Sequence, residues 1–209
     1  MNPKVSQVDK TLLESIQKRL MEESTYWGIQ CLKNPLDFWI YQEIIYKIKP
    51  DFIIEIGNFK GGGILAYAHM LDLLGHGNVI GIDIDHSVLE EKVKEHKRII
   101  LYEGDAVNLY EDVSKIIDTQ SKVIVIEDSS HEYQNTLDIL RKFSNLVSKN
   151  SYFIVEDGIC HHGLDIGPSP GPFEAVETFL RENSSFSSDH TKENFIITWN
   201  PKGYLKRTS

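Results

Sequence analysis

The chain has 209 residues, of which 41% are hydrophobic and 25% are charged, and its formal net charge is −9. This composition is typical of one globular domain and not of a disordered or fibrous protein. The acidic balance argues against nucleic acid as a main partner, because phosphate binding needs a net basic surface.

Two helices are predicted before the first strand. Apolar side chains recur at helical spacing from Val8 to Met21, which predicts an amphipathic helix over residues 8–22. A second helix is predicted from Pro35, a favoured first-turn residue, and the Lys49-Pro50 pair ends it. We expect residues 1–50 to form a helical cap on a core of residues 51–209, the two together making one structural domain.

From residue 51 onward, short apolar runs alternate with stretches of helical length. Strands that are apolar almost throughout indicate a parallel sheet covered on both faces, which predicts a doubly wound α/β fold. A last helix at 173–182 and a final strand at 195–199 are expected to complete a mostly parallel seven-stranded sheet. The earlier predicted strands are 52–56, 79–82, 99–102, 123–126 and 152–155, and the helices between them are 62–74, 87–96, 109–117 and 132–147.

A glycine-rich turn follows the first predicted strand. Gly57 and Gly61 belong to a G-x-x-x-G-G-G sequence, where glycine lets the backbone approach a ligand closely. The spacing is not the G-x-G-x-x-G of a dinucleotide site, which disfavours an NAD-dependent oxidoreductase. Glu55 fits a nucleoside-type ligand with an amino group better than a pyrophosphate, which its carboxylate would repel. The alternative is a turn that needs glycine only for steric reasons.

Acidic residues also end the second and third predicted strands. Asp83 is placed to bond ribose hydroxyl groups, and Asp85 is the second choice. Asp105 could accept a hydrogen bond from an adenine amino group. The alternative is that such an acid caps the helix that follows. Acids at three successive strand ends together suggest S-adenosylmethionine, whose sulfonium and amino groups balance nearby carboxylates.

Carboxylates gather again where the fourth and fifth predicted strands end. Asp128 follows the fourth strand, and Glu156 and Asp157 follow the fifth. Because crowded carboxylates need a neutralising cation and oxygen ligands suit Mg²⁺ or Mn²⁺, these three residues are the predicted metal ligands. Glu127 is expected to point away along the pleat. The alternative is that the acids cap the helices that follow them.

His131 lies three residues after Asp128, at the start of the next predicted helix. Its unperturbed pKa of about 6.5 suits a general base at neutral pH. A cation bound to a substrate hydroxyl lowers the pKa of that hydroxyl, so His131 is predicted to take the proton as the oxygen attacks the sulfonium methyl group. The alternative is a capping or surface role. For His161 and His162, in the loop over 158–172, a surface role is favoured over a substrate contact.

A series of short motifs runs through the chain from about residue 25 to residue 207. They are Trp27-Gly28, Tyr41-Gln42-Glu43, Glu55-Ile56-Gly57 with Gly61-Gly62, Gly81-Ile82-Asp83, Gly104-Asp105, Asp128-Ser129-Ser130-His131, Glu156-Asp157, Gly171-Pro172 with Ala175-Val176, and Asn200-Pro201-Lys202-Gly203-Tyr204-Leu205-Lys206-Arg207. In these motifs the chain resembles the S-adenosylmethionine-dependent methyltransferase family whose members are labelled cephalosporin hydroxylases or rhamnosyl O-methyltransferases. Its metal-site motifs are also similar to those of macrolide-sugar O-methyltransferases.

The resemblance implies a class I methyltransferase fold that binds S-adenosylmethionine and a divalent metal. By position, it implies that His131 is the base. It also implies the metal ligands Asp128, Glu156 and Asp157, and a cofactor site lined by Glu55, Gly57, Asp83 and Asp105. The family's Gly-Gly-Ser is Gly61-Gly62-Gly63 here, so a hydroxyl contact from the third position is lost. The label "hydroxylase" finds no support, because no flavin, haem or 2-His-1-carboxylate iron pattern is evident.

We therefore expect a metal-dependent O-methyltransferase that acts on a hydroxyl group, on the family resemblance that of a sugar in a glycoconjugate or secondary metabolite. The alternative from another class is a non-catalytic partner that binds S-adenosylmethionine within a biosynthetic complex. Turnover of an acceptor distinguishes the two.

The chain carries no sequence signal for a membrane or for export. Its apolar runs are far shorter than the ~20 residues that span a bilayer, and its N-terminus lacks the apolar core of a signal peptide. Cys31 and Cys160 do not make a disulfide framework. We expect a cytoplasmic protein with reduced thiols, forming a homo-oligomer through its first helix and the basic tail over residues 202–207.

Overall fold

A computed structural model describes residues 9–209. The first described element is α1 (Lys10–Glu23), whose Leu13 and Leu20 are buried. The predicted helix over 8–22 therefore agrees except at Val8, which lies outside the described residues. A short hairpin of β1 (Thr25–Tyr26) and β2 (Ile29–Gln30) leads into α2 (Pro35–Ile48). Asn34 caps α2 by accepting a hydrogen bond from the backbone N–H of Leu36.

Strands and helices alternate through the rest of the chain. The strands are β3 (Phe52–Ile56), β4 (Asn78–Asp83), β5 (Ile99–Glu103), β6 (Val123–Glu127), β7 (Tyr152–Val155), β8 (Phe186–Ser188) and β9 (Tyr204–Arg207). The helices are α3 (Gly62–Leu74), α4 (Glu91–Lys94), α5 (Ala106–Lys115), α6 (Tyr133–Phe143) and α7 (Pro172–Glu182). The described helices are all too short or too polar to span a lipid bilayer.

Seven of the strands form one sheet in the order β5-β4-β3-β6-β7-β9-β8. β3 to β7 pair in parallel, whereas β9 is antiparallel to both of its neighbours, β7 and β8. The predicted mostly parallel, doubly wound sheet of seven strands is confirmed. The chain leaves β3 toward β4 on one side and returns to β6 on the other, which opens a crevice at the carboxyl ends of β3 and β6.

Both faces of the sheet are covered by helices, because its central strands are apolar on both sides. Ile53 packs in a cluster with Tyr41 of α2 and Leu71 of α3. The next residue, Ile54, packs on the opposite face in a cluster with Phe143 of α6 and Phe179 of α7. Successive side chains of a strand point to opposite faces, and burying both faces leaves the strand ends as the accessible edge.

The predicted final strand at 195–199 is wrong. Phe195 and Ile196 are exposed, and the backbone N–H of Trp199 donates to the buried carboxylate of Asp37 at 2.7 Å. The carbonyl of Trp199 accepts from the N–H of Ile159 at 3.0 Å. Because both backbone groups of Trp199 already have these partners, they are not available to a neighbouring strand.

The last strand is instead β9, in the segment expected to be a basic tail. Tyr204 and Leu205 are buried, and β9 pairs with β7 and β8. This placement removes the reason given for a subunit interface at residues 202–207. The helix predicted over 87–96 shortens to α4, and the helix predicted over 109–117 starts earlier because Asp105 caps α5. The helix predicted over 132–147 ends earlier, at Phe143 of α6.

Candidate active site

A cavity of about 800 Å³ opens at the carboxyl ends of β3, β4 and β6. It brings together seven of the nine residues predicted for the site. These seven line its wall: Glu55, Gly57, Asp83, Asp105, Asp128, His131 and Asp157. Of the other two, Gly61 lies in the turn before α3 and Glu156 is buried behind the wall, with 6% of its surface exposed.

Gly57 allows the ends of β3 and β6 to meet. Its φ is +89°, and a Cβ atom there would lie 2.0 Å from the carbonyl oxygen of Asp128. Gly61 also has φ +89°, but a Cβ atom there would meet Leu89 and Val93 at 2.8–3.0 Å. Gly57 is therefore a glycine of the cavity wall, whereas Gly61 packs against the segment around α4.

The acids after β4 differ in what they bind. Asp83 Oδ2 accepts the backbone N–H groups of Asn58 at 2.6 Å and Phe59 at 2.9 Å, which ties the turn after β3 to the end of β4. Asp85 accepts from the N–H and the hydroxyl of Ser87 at 2.7 and 2.9 Å. Asp85 thus has the local capping role, and Asp83 faces the glycine turn.

Asp105 combines two roles that the sequence left as alternatives. Its side chain caps α5 by accepting from the N–H of Asn108 at 3.0 Å, and it also lines the cavity. A carboxylate has two oxygens, so a single cap leaves acceptor capacity for a ligand.

Lys33, which the sequence analysis did not single out, lies at the centre of the acids. Its Nζ is 2.7 Å from Asp128 Oδ2, 2.6 Å from Glu156 Oε1 and 2.9 Å from Glu55 Oε1. Burial by itself lowers the pKa of Lys33, but Asp128, Glu156 and Glu55 outweigh it and raise the pKa well above its usual value. Lys33 is therefore a buried ammonium group in contact with three carboxylates.

His131 lies on the opposite side of Asp128. Its Nε2 is 3.2 Å from Asp128 Oδ1 and 3.1 Å from Asp157 Oδ2. His131 and Asp157 both adopt the left-handed backbone region, with φ of 60° and 55°. Such a conformation is uncommon for residues other than glycine, and in this fold it turns both side chains toward Asp128.

The three predicted metal ligands do not form a single group. Asp128, His131 and Asp157 offer ligand atoms within 4.8 Å of one another, and so do Glu55, Asp128 and Glu156. Asp128 belongs to both groups, whereas Glu156 and Asp157 fall in different ones. The predicted set is therefore gathered around Asp128 but divided between the Lys33 side and the His131 side.

Burial and crowding perturb both partners of the His131–Asp157 pair. Burial raises the pKa of Asp157 to about 7. Burial alone lowers the pKa of His131, but its hydrogen bond with Asp128 and the charge of Asp157 raise it to about 10. The two carboxylates thus favour the protonated ring of His131, and a divalent cation that offsets their charge would favour the neutral ring.

Glu127 points away from this site, as expected from the pleat. It is fully buried on the other face of the sheet and accepts hydrogen bonds from the hydroxyl groups of Ser129 and Thr136. The histidines of the loop after β7 are also elsewhere. His162 lies 2.6 Å from Glu174 and stacks on Phe173, and within the described chain neither it nor His161 lines the cavity.

Part of the wall comes from segments with no sequence motif. Gln17 and Met21 of α1, together with Ile166 and Trp199, face the cavity. The indole N–H of Trp199 donates to Gln17 Oε1 at 2.6 Å, which fastens α1 over the site. The amphipathic spacing predicted α1 as a helix, but no local signal indicated which side of the sheet it covers.

Comparison with known families gives one consistent result. Residues 18–208 match the family described as rhamnosyl O-methyltransferase/CmcI. A rhamnosyl O-methyltransferase of Mycobacterium tuberculosis is 30% identical over 192 residues, which cover 88% of this chain and 78% of that protein. The rhamnosyl O-methyltransferase of Mycobacterium leprae is 29% identical over 191 residues, covering 88% and 83%.

Solved structures share the fold. A structure of CmcI with Mg-SAM has a TM-score of 0.72 and 24% identity, covering 92% of this chain and 84% of that one. The O-methyltransferase TomG from Streptomyces achromogenes, in complex with SAM, has a TM-score of 0.60 and 15% identity, covering 97% and 92%. At these identities the likeness shows that the chain has the class I methyltransferase fold.

Proposed function

The chain belongs to the rhamnosyl O-methyltransferase/CmcI family, and from that premise we propose that it transfers a methyl group from S-adenosylmethionine to a sugar hydroxyl with the help of a divalent cation. One observation carries the proposal. The acids suited to a cationic nucleoside and the cluster of Asp128, His131 and Asp157 line the same cavity. Its volume of about 800 Å³ lies within the range of small-molecule sites.

The β3–β5 side of the cavity fits the cofactor. α3 begins there at Gly62, and its N-terminus has no side-chain cap. Free N–H groups at a helix N-terminus suit a carboxylate such as that of the methionine part. In this proposal Asp83 would bind the ribose, Asp105 the adenine amino group, and Glu55 the amino group of the cofactor's methionine part; all three line the cavity. These acids favour a cofactor that carries a sulfonium charge.

The β6–β7 side fits a hard divalent cation. Carboxylate oxygens of Asp128 and Asp157 lie within 4.8 Å of each other, and so do carboxylate oxygens of Asp128 and Glu156. Glu55 Oε1 is buried and accepts no hydrogen bond of good geometry from the described residues, although the ammonium group of Lys33 lies 2.9 Å away, so this oxygen has acceptor capacity left for a ligand. Mg²⁺ or Mn²⁺ held by these residues would lower the pKa of an acceptor hydroxyl.

His131 would then act as the base. Asp128 and Asp157 orient its imidazole through Nε2, and a cation that offsets their charge favours the neutral ring. The neutral ring takes the proton of the acceptor hydroxyl as the oxygen attacks the methyl group. The acceptor would enter between α1 and the loop after β7, where Met21, Ile166 and Trp199 exclude water.

The test is turnover with S-adenosylmethionine and a panel of rhamnosides and other glycosides, followed as S-adenosylhomocysteine and methylated product. We expect product with wild-type protein, loss of product in EDTA and its return on adding Mg²⁺ or Mn²⁺. Asp157→Asn should abolish the response to metal, whereas Asp165→Asn, in an exposed ion pair of the same loop, should behave as wild type.

Two outcomes would contradict the proposal. Full activity of metal-stripped enzyme would remove the cation from the reaction. Tight S-adenosylmethionine binding with no turnover of any sugar would favour the alternative, a non-catalytic partner within a biosynthetic complex.

A further inference from the structure

Glu55, Asp128 and Glu156 form the inner group of acids in the site. Among the described residues, Lys33 is the one cation that contacts all three of them. It stands immediately before Asn34, the cap of α2, and only 7% of its surface is exposed. Buried lysines are rare because the ammonium group loses its hydration, so a buried one is kept by its partners. Its three partners are Glu55, Asp128 and Glu156.

Two of these partners are carboxylates assigned to the metal. Asp128 already uses both oxygens, Oδ1 toward His131 and Oδ2 toward Lys33 at 2.7 Å. Glu156 Oε1 accepts a hydrogen bond from the same ammonium group at 2.6 Å. A divalent cation bound between Asp128 and Glu156 would need the oxygens that Lys33 now holds.

We propose that Lys33 is an internal counter-ion of the metal site, which a divalent cation displaces from Asp128 and Glu156 when it binds. This inference rests on the proposed function, since it assumes the cation. Two cations that compete for the same oxygens have linked affinities, so removing one strengthens the binding of the other. Lys33 thus keeps the carboxylates neutralised before the metal arrives and weakens the affinity for metal.

The surroundings of Lys33 offer other acceptors for its ammonium group after displacement from Asp128 and Glu156. Glu55 Oε1, 2.9 Å from the ammonium group, belongs to the inner group and not to the group of Asp128, His131 and Asp157. Tyr67 lies one turn after Gly63 on α3, and its buried hydroxyl has no hydrogen-bond partner among the described residues. A displaced ammonium group can therefore keep Glu55 and gain an acceptor.

Gly63 provides the space that Lys33 occupies. A Cβ atom at Gly63 would lie 2.8 Å from Lys33 Cε and 2.9 Å from Glu55 Oε1. The close approach of the lysine stem therefore depends on the absence of a side chain at this position. Gly63→Ala would push on Lys33 without changing any charge, which makes it an independent probe.

The experiment is calorimetric titration of Mn²⁺ into chelator-treated wild type, Lys33→Met, Lys33→Arg and Lys115→Met. We expect Lys33→Met to bind Mn²⁺ about ten-fold more tightly than wild type, within the usual range of coupling between sites. Lys33→Arg retains the charge and should not show this gain. Lys115→Met removes a lysine from an exposed pair with Asp112 and should bind as wild type does.

Thermal unfolding gives a second readout that a purely structural lysine would not produce. Without metal, Lys33→Met should melt below wild type, because three buried carboxylates lose their counter-ion. Added Mn²⁺ should raise the midpoint of Lys33→Met more than that of wild type, because the variant binds the ion more tightly. If Lys33→Met does not fold, Gly63→Ala is titrated in its place, and tighter Mn²⁺ binding is again expected.

The possible failures are distinguishable. If wild type binds Mn²⁺ and the folded variant at Lys33 or Gly63 binds it equally or less tightly, the inference is overturned and the proposed function stands. If neither wild type nor any variant binds Mn²⁺, the inference and the metal requirement fail together.

Discussion

His131 Nε2 and Asp157 Oδ2 lie 3.1 Å apart, although they follow different strands, β6 and β7. Both residues reach this position through left-handed backbone conformations, with φ of 60° and 55°. Non-glycine residues rarely adopt this region without a compensating role, and here the geometry places the imidazole of His131 beside two potential metal ligands.

His131→Gln should lower kcat by about 100-fold or more, because proton transfer by a positioned base contributes rate enhancements of this order. Binding of S-adenosylhomocysteine should be unchanged, since His131 lies on the β6–β7 side of the cavity. His76→Gln, an exposed histidine after α3, is the matched control. Unchanged kcat in His131→Gln would remove the base from the mechanism.

Asp83→Ala and Asp85→Ala should separate a ligand contact from a cap. Asp83→Ala is expected to weaken S-adenosylhomocysteine binding by about ten-fold or more, the range of a lost hydrogen bond to a charged group. Asp85 already bonds Ser87, so Asp85→Ala should change the affinity little. Calorimetric titration with S-adenosylhomocysteine measures both affinities. A larger loss of affinity in Asp85→Ala than in Asp83→Ala would mean that Asp85, and not Asp83, contacts the ligand.

Gly57→Ala and Gly75→Ala should differ in stability for a reason visible in the structure. Both glycines have positive φ, but a Cβ at Gly57 would lie 2.0 Å from the carbonyl oxygen of Asp128, whereas nothing lies within 4 Å at Gly75. Gly75→Ala should lower the free energy of unfolding by about 1 kcal/mol, the cost of the left-handed conformation alone. Gly57→Ala should lower it by about 3 kcal/mol or more, because overpacking adds to that strain. Urea denaturation measures both, and equal losses would mean that β3 and β6 can separate freely at this point.

Asp72 should make stability depend on pH. Arg98 Nε donates to its carboxylate at 2.6 Å and lowers the pKa of Asp72. A carboxyl with a lowered folded-state pKa contributes stability above its unfolded pKa and loses it as the pH falls through the folded value. Asp72→Asn should therefore be less stable than wild type at neutral pH. Its free energy of unfolding should be lower by less than about 1 kcal/mol, because the group is partly exposed.

The difference between Asp72→Asn and wild type should shrink as the pH falls below about 4, the ordinary pKa of Asp. Thermal unfolding over a pH series measures it, and Arg98→Met should show the same pattern. A stability difference that grows toward acid pH would contradict the lowered pKa of Asp72 in the folded protein.

The central strands were predictable because they are apolar on both faces, as Ile53 and Ile54 illustrate by packing on opposite sides. The other edge of the sheet was not. The segment at 195–199 has the apolar run of a strand, but the backbone of Trp199 is bound by Asp37 and Ile159. β9 has only Tyr204 and Leu205 as apolar residues and is fixed by its two neighbours. Tertiary pairing, which no local pattern encodes, decides between these two segments.

Most of the candidate site could be predicted because strand ends in a parallel sheet meet at one edge. Lys33 could not, since its three partners lie in three distant segments of the chain. The faint signal is its position beside the N-terminus of α2, where the helix dipole disfavours a cation. A lysine retained there suggests compensating carboxylates, but the sequence does not say which ones.

Insertion of β9 between β7 and β8 fixes the order in which that edge of the sheet can assemble. β8 pairs with β9 alone, so it joins the sheet only with β9 or after it. β7 and β9 are separated by a long stretch of chain, and contacts of high sequence separation form slowly. We expect β8 and β9 to pair first and to dock on β7 as a unit late in folding. The hydrogen bond from Tyr204 to Asp37, at 2.7 Å, then locks α2 in the same step.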